Sequence, residues 1–455
     1  MTLKEIVTNI VEKIDNYGLK SEYSFSDLIT TRSGEKLIFG EEVRKEIDLF
    51  LQIIKENHTH QLSNFSYQTL YSICRDSICD LYTEGVLHQG IKNGGRDHIK
   101  KLKEEIAIRI KNETVVLKHH FQADTCLFPN SPPVQIGPIN ILSNFAWARK
   151  INLHHHFFKF TFNSEGDEKN WREQLITLLE SNGNSKTNNN IAITLYEIIK
   201  KSNSIIEIEI ENYEPKLSRQ LAKIASQAGL DCFSLIFGNN QMFTHQNLYE
   251  RPNPPVSFDS LISFSGELIS PGKTLTSKVL VYNGDEIDKI ISENKNFIVA
   301  AGNIINSVVN KVEHPYKNLA LRWTTSLNWY AEAQREQDDA ISLAKIGISL
   351  DILSGGGTTK GILEMVKNIL ELDDQHIVID HPQKTTLKEF IIDLYEYGRS
   401  QIVHGNHIDR LKSFEGERKK ASLLNRVILI RLALNLLNYT GEDTHDAFVN
   451  MITQN

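Results

Sequence analysis

At 455 residues the chain is long enough for two to four folding units, each able to bury a core of its own. Its 40% hydrophobic and 24% charged residues match ordinary globular usage, which excludes wholesale disorder and the fibrous classes. A formal net charge of -7 excludes a generic polyanion binder, so any contact with nucleic acid must come from a local patch.

No run reaches the roughly 18 apolar residues of a membrane helix, and the opening MTLKEIVTNIVEKIDNYG is amphipathic and acidic rather than a basic stub before an apolar stretch. The expected location is the cytoplasm, with no membrane partner. Cys74, Cys79, Cys126 and Cys232 give no disulfide framework and read as free thiols of a reducing compartment.

In chain order, LKEIVTNIVEKI and EEVRKEIDLFLQIIKE carry apolar residues at the three-four spacing of a buried helical stripe. KNGGRDHIKKLK (92–103) reads as a glycine loop leading into a solvated helix, so residues 1–128 are expected to be mainly helical. FPNSPPVQIGP (128–138) holds four prolines, which suit neither a helix interior nor a central strand, and a boundary is expected there.

INLHHHFFKFTF (151–162), SIIEIEIENY (204–213) and DCFSLIFG (231–238) read as strands, being rich in β-branched and aromatic residues. WREQLITLLES and LSRQLAKIASQAG between them read as helices, the second closed by Gly229 as a C-cap. The middle region, 129–255, is therefore expected to be mixed α/β, with a connecting region at 256–300 that begins in the proline-rich RPNPPVS (251–257). Residues 301–455 read as an all-helical unit, which makes the fold class α+β and multidomain.

Within that unit, residues 319–353 read as one long helix ended by Gly355, Gly356 and Gly357. TKGILEMVKNILEL is a second helix. A third begins at Thr386, where Thr-Leu-Lys-Glu is a capping box closed by Glu389, and runs on as FIIDLYEYGRSQIVHG.

In that third helix LYEYGRSQIVHGNH resembles the R-S-x-x-x-H-G signature of the HEPN superfamily, particularly its Apea-like branch, through Arg399, Ser400, His404 and Gly405. The resemblance spans about residues 318 to 440 and does not reach the first 300. Its weight comes from context: a helical bundle, the preceding Leu-Tyr-x-Tyr and the glycine after the histidine. It implies an all-α HEPN bundle that works as a metal-independent endoribonuclease without a cofactor, is dimeric, and belongs with bacterial abortive-infection and antiphage effectors.

The residue types suit that chemistry. Arginine is permanently cationic and offers a planar fork to phosphate, while histidine exchanges a proton near neutral pH. A ribose 2′-OH would attack the neighbouring phosphorus, with His404 as general base or acid and Arg399 stabilising the transition-state oxygens. On an ideal α-helix two residues five apart lie roughly 140° apart, which favours a composite site at the seam of a homodimer or higher oligomer.

Asp351, on the first helix, is the carboxylate that could orient Arg399 or His404. Ser400 and Asn406 could contact phosphate or ribose, or could equally cap or bond back to the chain. From Arg399 to Arg431 eight Lys or Arg face three acids, a locally basic segment. The expected partners are an RNA substrate, tRNA or mRNA, and a phage-derived trigger sensed by the first 300 residues.

Other readings compete. Arg399 could simply pair with Asp393 or Glu396 on its own helix, leaving a bundle that only dimerises or binds a nucleotide or RNA. His119, His120, His154, His155, His156 and Cys126 are zinc-type ligands, but adjacent strand residues alternate faces and cannot all converge. Cys74-x4-Cys79 lacks a second ligand pair, and GELISPGKT has the wrong spacing for a phosphate loop and reads as a strand connection.

Overall fold

The structure, a computed structural model, describes residues 1–17, 27–57, 62–153, 170–251, 257–275, 282–309, 315–380, 383–406, 409 and 411–451. The chain divides into two compact units: residues 1–117 with 210–221, and residues 118–209 with 222–455. Mixed α and β structure in more than one unit bears out the α+β, multidomain expectation. Among the described residues no single helix is long and apolar enough to cross a membrane.

The first unit is mainly helical: α1 (Leu3–Asp15), a hairpin of β1 (Asp27–Thr30) and β2 (Lys36–Phe39), then α2 (Glu41–Asn57), α3 (Tyr67–Thr83), α4 (Val86–Lys92) and α5 (Asp97–Glu113). Thr2 and Glu5 form a capping box that starts α1. The apolar stripes meet in a core that includes Ile6, Ile10, Ile47, Phe50, Ile78 and Leu102. Cys74 and Cys79 are buried thiols there, each pushed up to about 12 by burial.

Most of a five-stranded sheet falls in the second unit, in the order β4-β5-β6-β3-β7, from β3 (Val115–Asp124), β4 (Val134–Ile136), β5 (Ile139–Ser143), β6 (Ser204–Tyr213) and β7 (Asn247–Leu248). The pairings β4–β5, β5–β6 and β3–β7 are antiparallel. The α/β layer is completed by α6 (Asn144–Lys150), α7 (Trp171–Glu180) and α8 (Asn190–Ile199), with Trp147, Trp171, Leu175, Leu195 and Ile205 in one buried cluster.

Three expectations need correction in this layer. The sheet takes strands from both sides of the proline-rich stretch, so no boundary falls at 128; the prolines flank an edge strand, where a missing N–H costs no ladder bond. Residues 231–236 are not a strand but the end of α9 (Pro215–Ile236), in which Ala222, Ala225, Leu230 and Phe233 are buried together; burial at helical spacing overrides the strand propensity of Phe and Ile.

Gly229 accordingly caps nothing: α9 runs through it, and a Cβ there would sit 2.6 Å from Ile139 Cδ1, so it is a close-approach glycine. Of the expected strand 151–162, residues 151–153 have no regular structure and the rest lie outside the described residues. After α10 (Met242–His245), the hairpin of β8 (Ser257–Phe264) and β9 (Glu267–Leu275) places Gly272, Lys273 and Thr274 in strand register with Ser260, Asp259 and Phe258, so GELISPGKT is a strand connection.

The rest is mainly helical: α11 (Gly284–Glu293), α12 (Lys295–Val309), α13 (Lys317–Arg335), α14 (Asp339–Leu353), α15 (Thr358–Leu370), α16 (Leu387–Ile392), α17 (Gln401–Val403), α18 (Glu415–Leu436) and α19 (Ala447–Asn450); the all-helical expectation for 301–455 is corrected by an antiparallel hairpin of β10 (Ile377–Ile379) and β11 (Thr385–Thr386). Helix α12 runs through residue 300. The single long helix expected over 319–353 is instead an antiparallel pair, broken at residues 336–338, because Asp338 N-caps α14 by accepting from Ile341 N at 3.0 Å. Ser326 at one end of this pair hydrogen-bonds Ser349, and Ser342 at the other bonds the Ala333 carbonyl.

Arg335, in the last turn of α13, ties this pair to the sheet layer. Its guanidinium is salt-bridged to buried Asp231 on α9, donates to the Phe243 carbonyl at 2.9 Å and lies over the Phe243 ring. Replacing Arg335 by Leu strands a buried carboxylate and is expected to cost about 3–5 kcal/mol, whereas the double change Asp231→Leu, Arg335→Leu recovers most of it; urea denaturation of the two variants checks the difference.

His98 in the first unit is fully buried, neither ring nitrogen has a hydrogen-bond partner among the described residues, and burial lowers its pKa. The unfolded chain takes up that proton below about pH 6.5 while the folded chain resists it, so stability present at pH 7.5 falls as the pH drops below about 6.5. His98→Leu should flatten the fall in melting temperature between pH 7.5 and 5.5, and an unchanged slope would refute the assignment.

Candidate active site

The expected capping box is present: Thr386 Oγ1 accepts from Glu389 N at 3.3 Å, and the Glu389 carboxylate accepts from Thr386 N at 2.9 Å. The helix that starts there does not stay α-helical. From Asp393 to Ser400 it widens into a π-helix, then closes to α for Gln401–Val403. Such i→i+5 turns carry an extra residue, which rotates the side chains beyond them to a new direction, and they recur at functional sites.

The helix ends at His404 through a Schellman arrangement: Gly405 N donates to Ile402 O at 3.2 Å and Asn406 N to Gln401 O at 2.8 Å. Gly405 sits at φ +71°, where a side chain would be strained, which is the physical reason for a glycine directly after the histidine. Asn406 thus contributes its backbone to the cap, and its side chain is exposed. Ser400 is half-buried and its carbonyl accepts from His404 N at 3.0 Å.

Arg399 points at α14. A Cβ on Gly347 would lie 2.6 Å from Arg399 Cβ and 2.8 Å from its Cγ, so the arginine stem packs directly on that helix backbone. Its guanidinium lies over the Tyr395 ring, 5.0 Å from the centroid, with Nη2 3.6 Å from Asp351 Oδ2. Tyr395 OH approaches the same oxygen at 3.5 Å, while Asp351 Oδ1 accepts from Thr358 N at 3.3 Å.

Of the sequence candidates, the structure therefore brings Asp351 to Arg399. The acids on the arginine's own helix are not its partners: Glu396 accepts from Thr359 Oγ1 at 3.1 Å on α15, and Asp393 makes no ion pair with Arg399. At 3.6 Å the Asp351 contact is an ion pair rather than a hydrogen bond. Among the described residues no guanidinium N–H of Arg399 makes a hydrogen bond, and its Nε is buried without a partner. His404, at the helix end, is exposed.

Tyr395, which the sequence marks only as part of the Leu-Tyr-x-Tyr beside the motif, and Gly347 had no role assigned to them from the sequence. Tyr395 was visible in principle, since a residue four before Arg399 on a helix shares its face; Gly347 carries no local signal. The basic count of the segment also overstates its surface. Arg418 donates to the Ala333 and Glu336 carbonyls at the end of α13 and pairs with Asp339 at 2.8 Å, and Arg426 donates to the Leu235 carbonyl. Lys419 pairs with Glu415, Lys412 lies over the Phe414 ring, and Arg410 is outside the described residues.

The described zinc-type residues each have other neighbours. His120 Nδ1 takes the Trp147 indole N–H, His119 stacks beside Phe121, Cys126 Sγ faces Gln246 Oε1 at 3.6 Å, and His154, His155 and His156 lie outside the described residues. Among the described residues no group of three or more His, Cys, Asp or Glu is placed to hold a metal ion.

Gly347→Ala should overpack the α14 contact and cost about 1–3 kcal/mol, measured by urea denaturation, with a displaced Arg399 side chain in a structure of the variant; an unperturbed stability would sink this packing argument. No family model matches the chain, no curated protein matches it, and no solved structure matches it.

Proposed function

We propose that the C-terminal helical region is a metal-independent endoribonuclease of the HEPN type, Apea-like, in which Arg399 and His404 cleave RNA by attack of the ribose 2′-OH. The observation that carries the reading is the state of Arg399. The Tyr395 ring and the Asp351 carboxylate hold the guanidinium in place, yet its hydrogen-bonding capacity is unspent, which is what a phosphate receptor needs.

In this mechanism Arg399 neutralises charge on the non-bridging phosphate oxygens, so the positive charge comes from the side chain itself. His404, exposed one turn on, takes the 2′-OH proton or returns one to the departing 5′-oxygen. The products are a 2′,3′-cyclic phosphate and a 5′-hydroxyl. Asp351 and Tyr395 act as positioning residues for the guanidinium, and the π-helical turns supply the local distortion that such sites often use.

The reading includes a homodimer or higher oligomer that joins two copies of the motif. Tyr397 and Val403, 56% and 50% exposed on either side of Arg399, favour it. An antiphage, abortive-infection effector acting in the cytoplasm on tRNA or mRNA, with the first 300 residues sensing a phage-derived trigger, is the biological setting that we attach to this reading.

A non-enzymatic dimerisation or nucleotide- or RNA-binding bundle is the second reading. The Arg399–Asp351 ion pair favours it, because the same contact would serve a purely structural arginine.

Purified protein on total RNA with EDTA present separates the two. The wild type should release fragments ending in 2′,3′-cyclic phosphate, and Arg399→Ala or His404→Ala should each lower the rate by about 10²–10⁴. No cleavage by the wild type, on RNA from infected as well as uninfected cells, would leave the binding reading in its place.

A further inference from the structure

A second convergence of titratable groups lies in the α/β layer and is independent of the ribonuclease reading. Glu207 on β6 is buried, its side chain 2% exposed, and its Oε2 accepts from Lys150 Nζ at 2.7 Å. Lys118 Nζ lies 3.5 Å from the same oxygen, and His120 Nδ1 lies 3.5 Å from Oε1. The four residues come from three elements: Lys118 and His120 are two apart on β3 and share a face, and Lys150 ends α6.

The proton on His120 can be assigned from its neighbour. The Trp147 indole nitrogen can only donate, and it donates to His120 Nδ1 at 3.1 Å, so Nδ1 is an acceptor and the ring hydrogen is on Nε2. His120 is therefore neutral, in keeping with the downward push of burial on its pKa, and gives Glu207 no charge.

One ammonium is enough to neutralise one carboxylate, so within these four residues the second lysine leaves a net positive charge, with exposed Glu209 farther along the same face of β6. The charges are also layered: the carboxylate is 2% exposed, whereas the Lys118 and Lys150 side chains are 42% and 51% exposed and that of His120 is 27%. Solvent meets two ammonium groups held close together on one oxygen, with the counter-charge beneath them and the part-exposed His120 ring alongside. Two ammonium groups, each with rotatable N–H donors, together with the remaining imidazole N–H offer donors enough for the three terminal oxygens of a phosphoryl group rather than only the two oxygens of a carboxylate.

We propose that Lys118, Lys150 and His120, backed by Glu207, form a receptor site for the terminal phosphoryl group of a small phosphorylated ligand. Glu207 orders the two lysines and, by its charge, limits the affinity of the site.

Isothermal titration of the full chain with inorganic pyrophosphate tests this. Saturable binding is expected that weakens at least about tenfold in Lys118→Met and in Lys150→Met and is unchanged in Lys289→Met, a lysine on α11; tenfold corresponds to about 1.4 kcal/mol. Glu207→Gln removes the counter-charge while keeping the side-chain shape and should tighten binding by about tenfold, an effect opposite in sign to damage to the fold.

Nitrogen-15 histidine spectra should show the His120 proton on Nε2, with that resonance shifting on titration. Absence of saturable binding by the wild type overturns the proposal, as does binding that ignores both lysine variants or weakens in Glu207→Gln. Binding of a 5′-phosphorylated oligoribonucleotide without any of pyrophosphate overturns the assignment to a small ligand.

Discussion

The salt bridge between Asp231 and Arg335 is the contact on which the geometry of the second unit depends. Asp231 is inside the protein on α9, and a carboxylate there is tolerable only if a cation and hydrogen bonds accompany it. Arg335 supplies the cation from the last turn of α13, where a positive charge also suits the carbonyl end of the helix. The pair fixes α13 against the layer that carries the sheet. The break at residues 336–338 then turns the chain back along α13 as α14, with serine hydrogen bonds at both ends of the pair setting its register.

The candidate site inherits that register. Helix α14 carries Gly347 and Asp351 one turn apart on one side, and both meet Arg399, the glycine by letting the arginine stem reach the backbone and the aspartate by holding the guanidinium. The π-helical stretch and the Schellman end at Gly405 define where Arg399 and His404 fall along the same short segment.

The two clusters of charge in this unit follow opposite logic. At Arg399 a cation is held by one distant carboxylate and keeps its donors. At Glu207 a buried anion gathers more cations than it needs. In both cases what decides the chemistry available is not the residue type but how much of its bonding capacity the fold has already used. Arg418 and Arg426 make the contrast plain, since they carry the same charge as Arg399 and spend it on backbone carbonyls.

The sequence by itself determined whatever depends on a few neighbouring residues. The capping box at Thr386 and Glu389 and the strand over 204–213 were legible, because caps and strand alternation act over one to five residues. Only the tertiary structure decided that residues 231–236 are helical, that Gly229 serves close packing, that 319–353 breaks in two, that the motif helix widens, and that Arg399 meets Asp351 rather than Glu396. The partners of Gly229 and Arg399, Ile139 and Asp351, lie tens of residues away, and at 231–236 burial outweighs local strand propensity, whereas the break at 336–338 rests on the local cap at Asp338 that the fold puts to use.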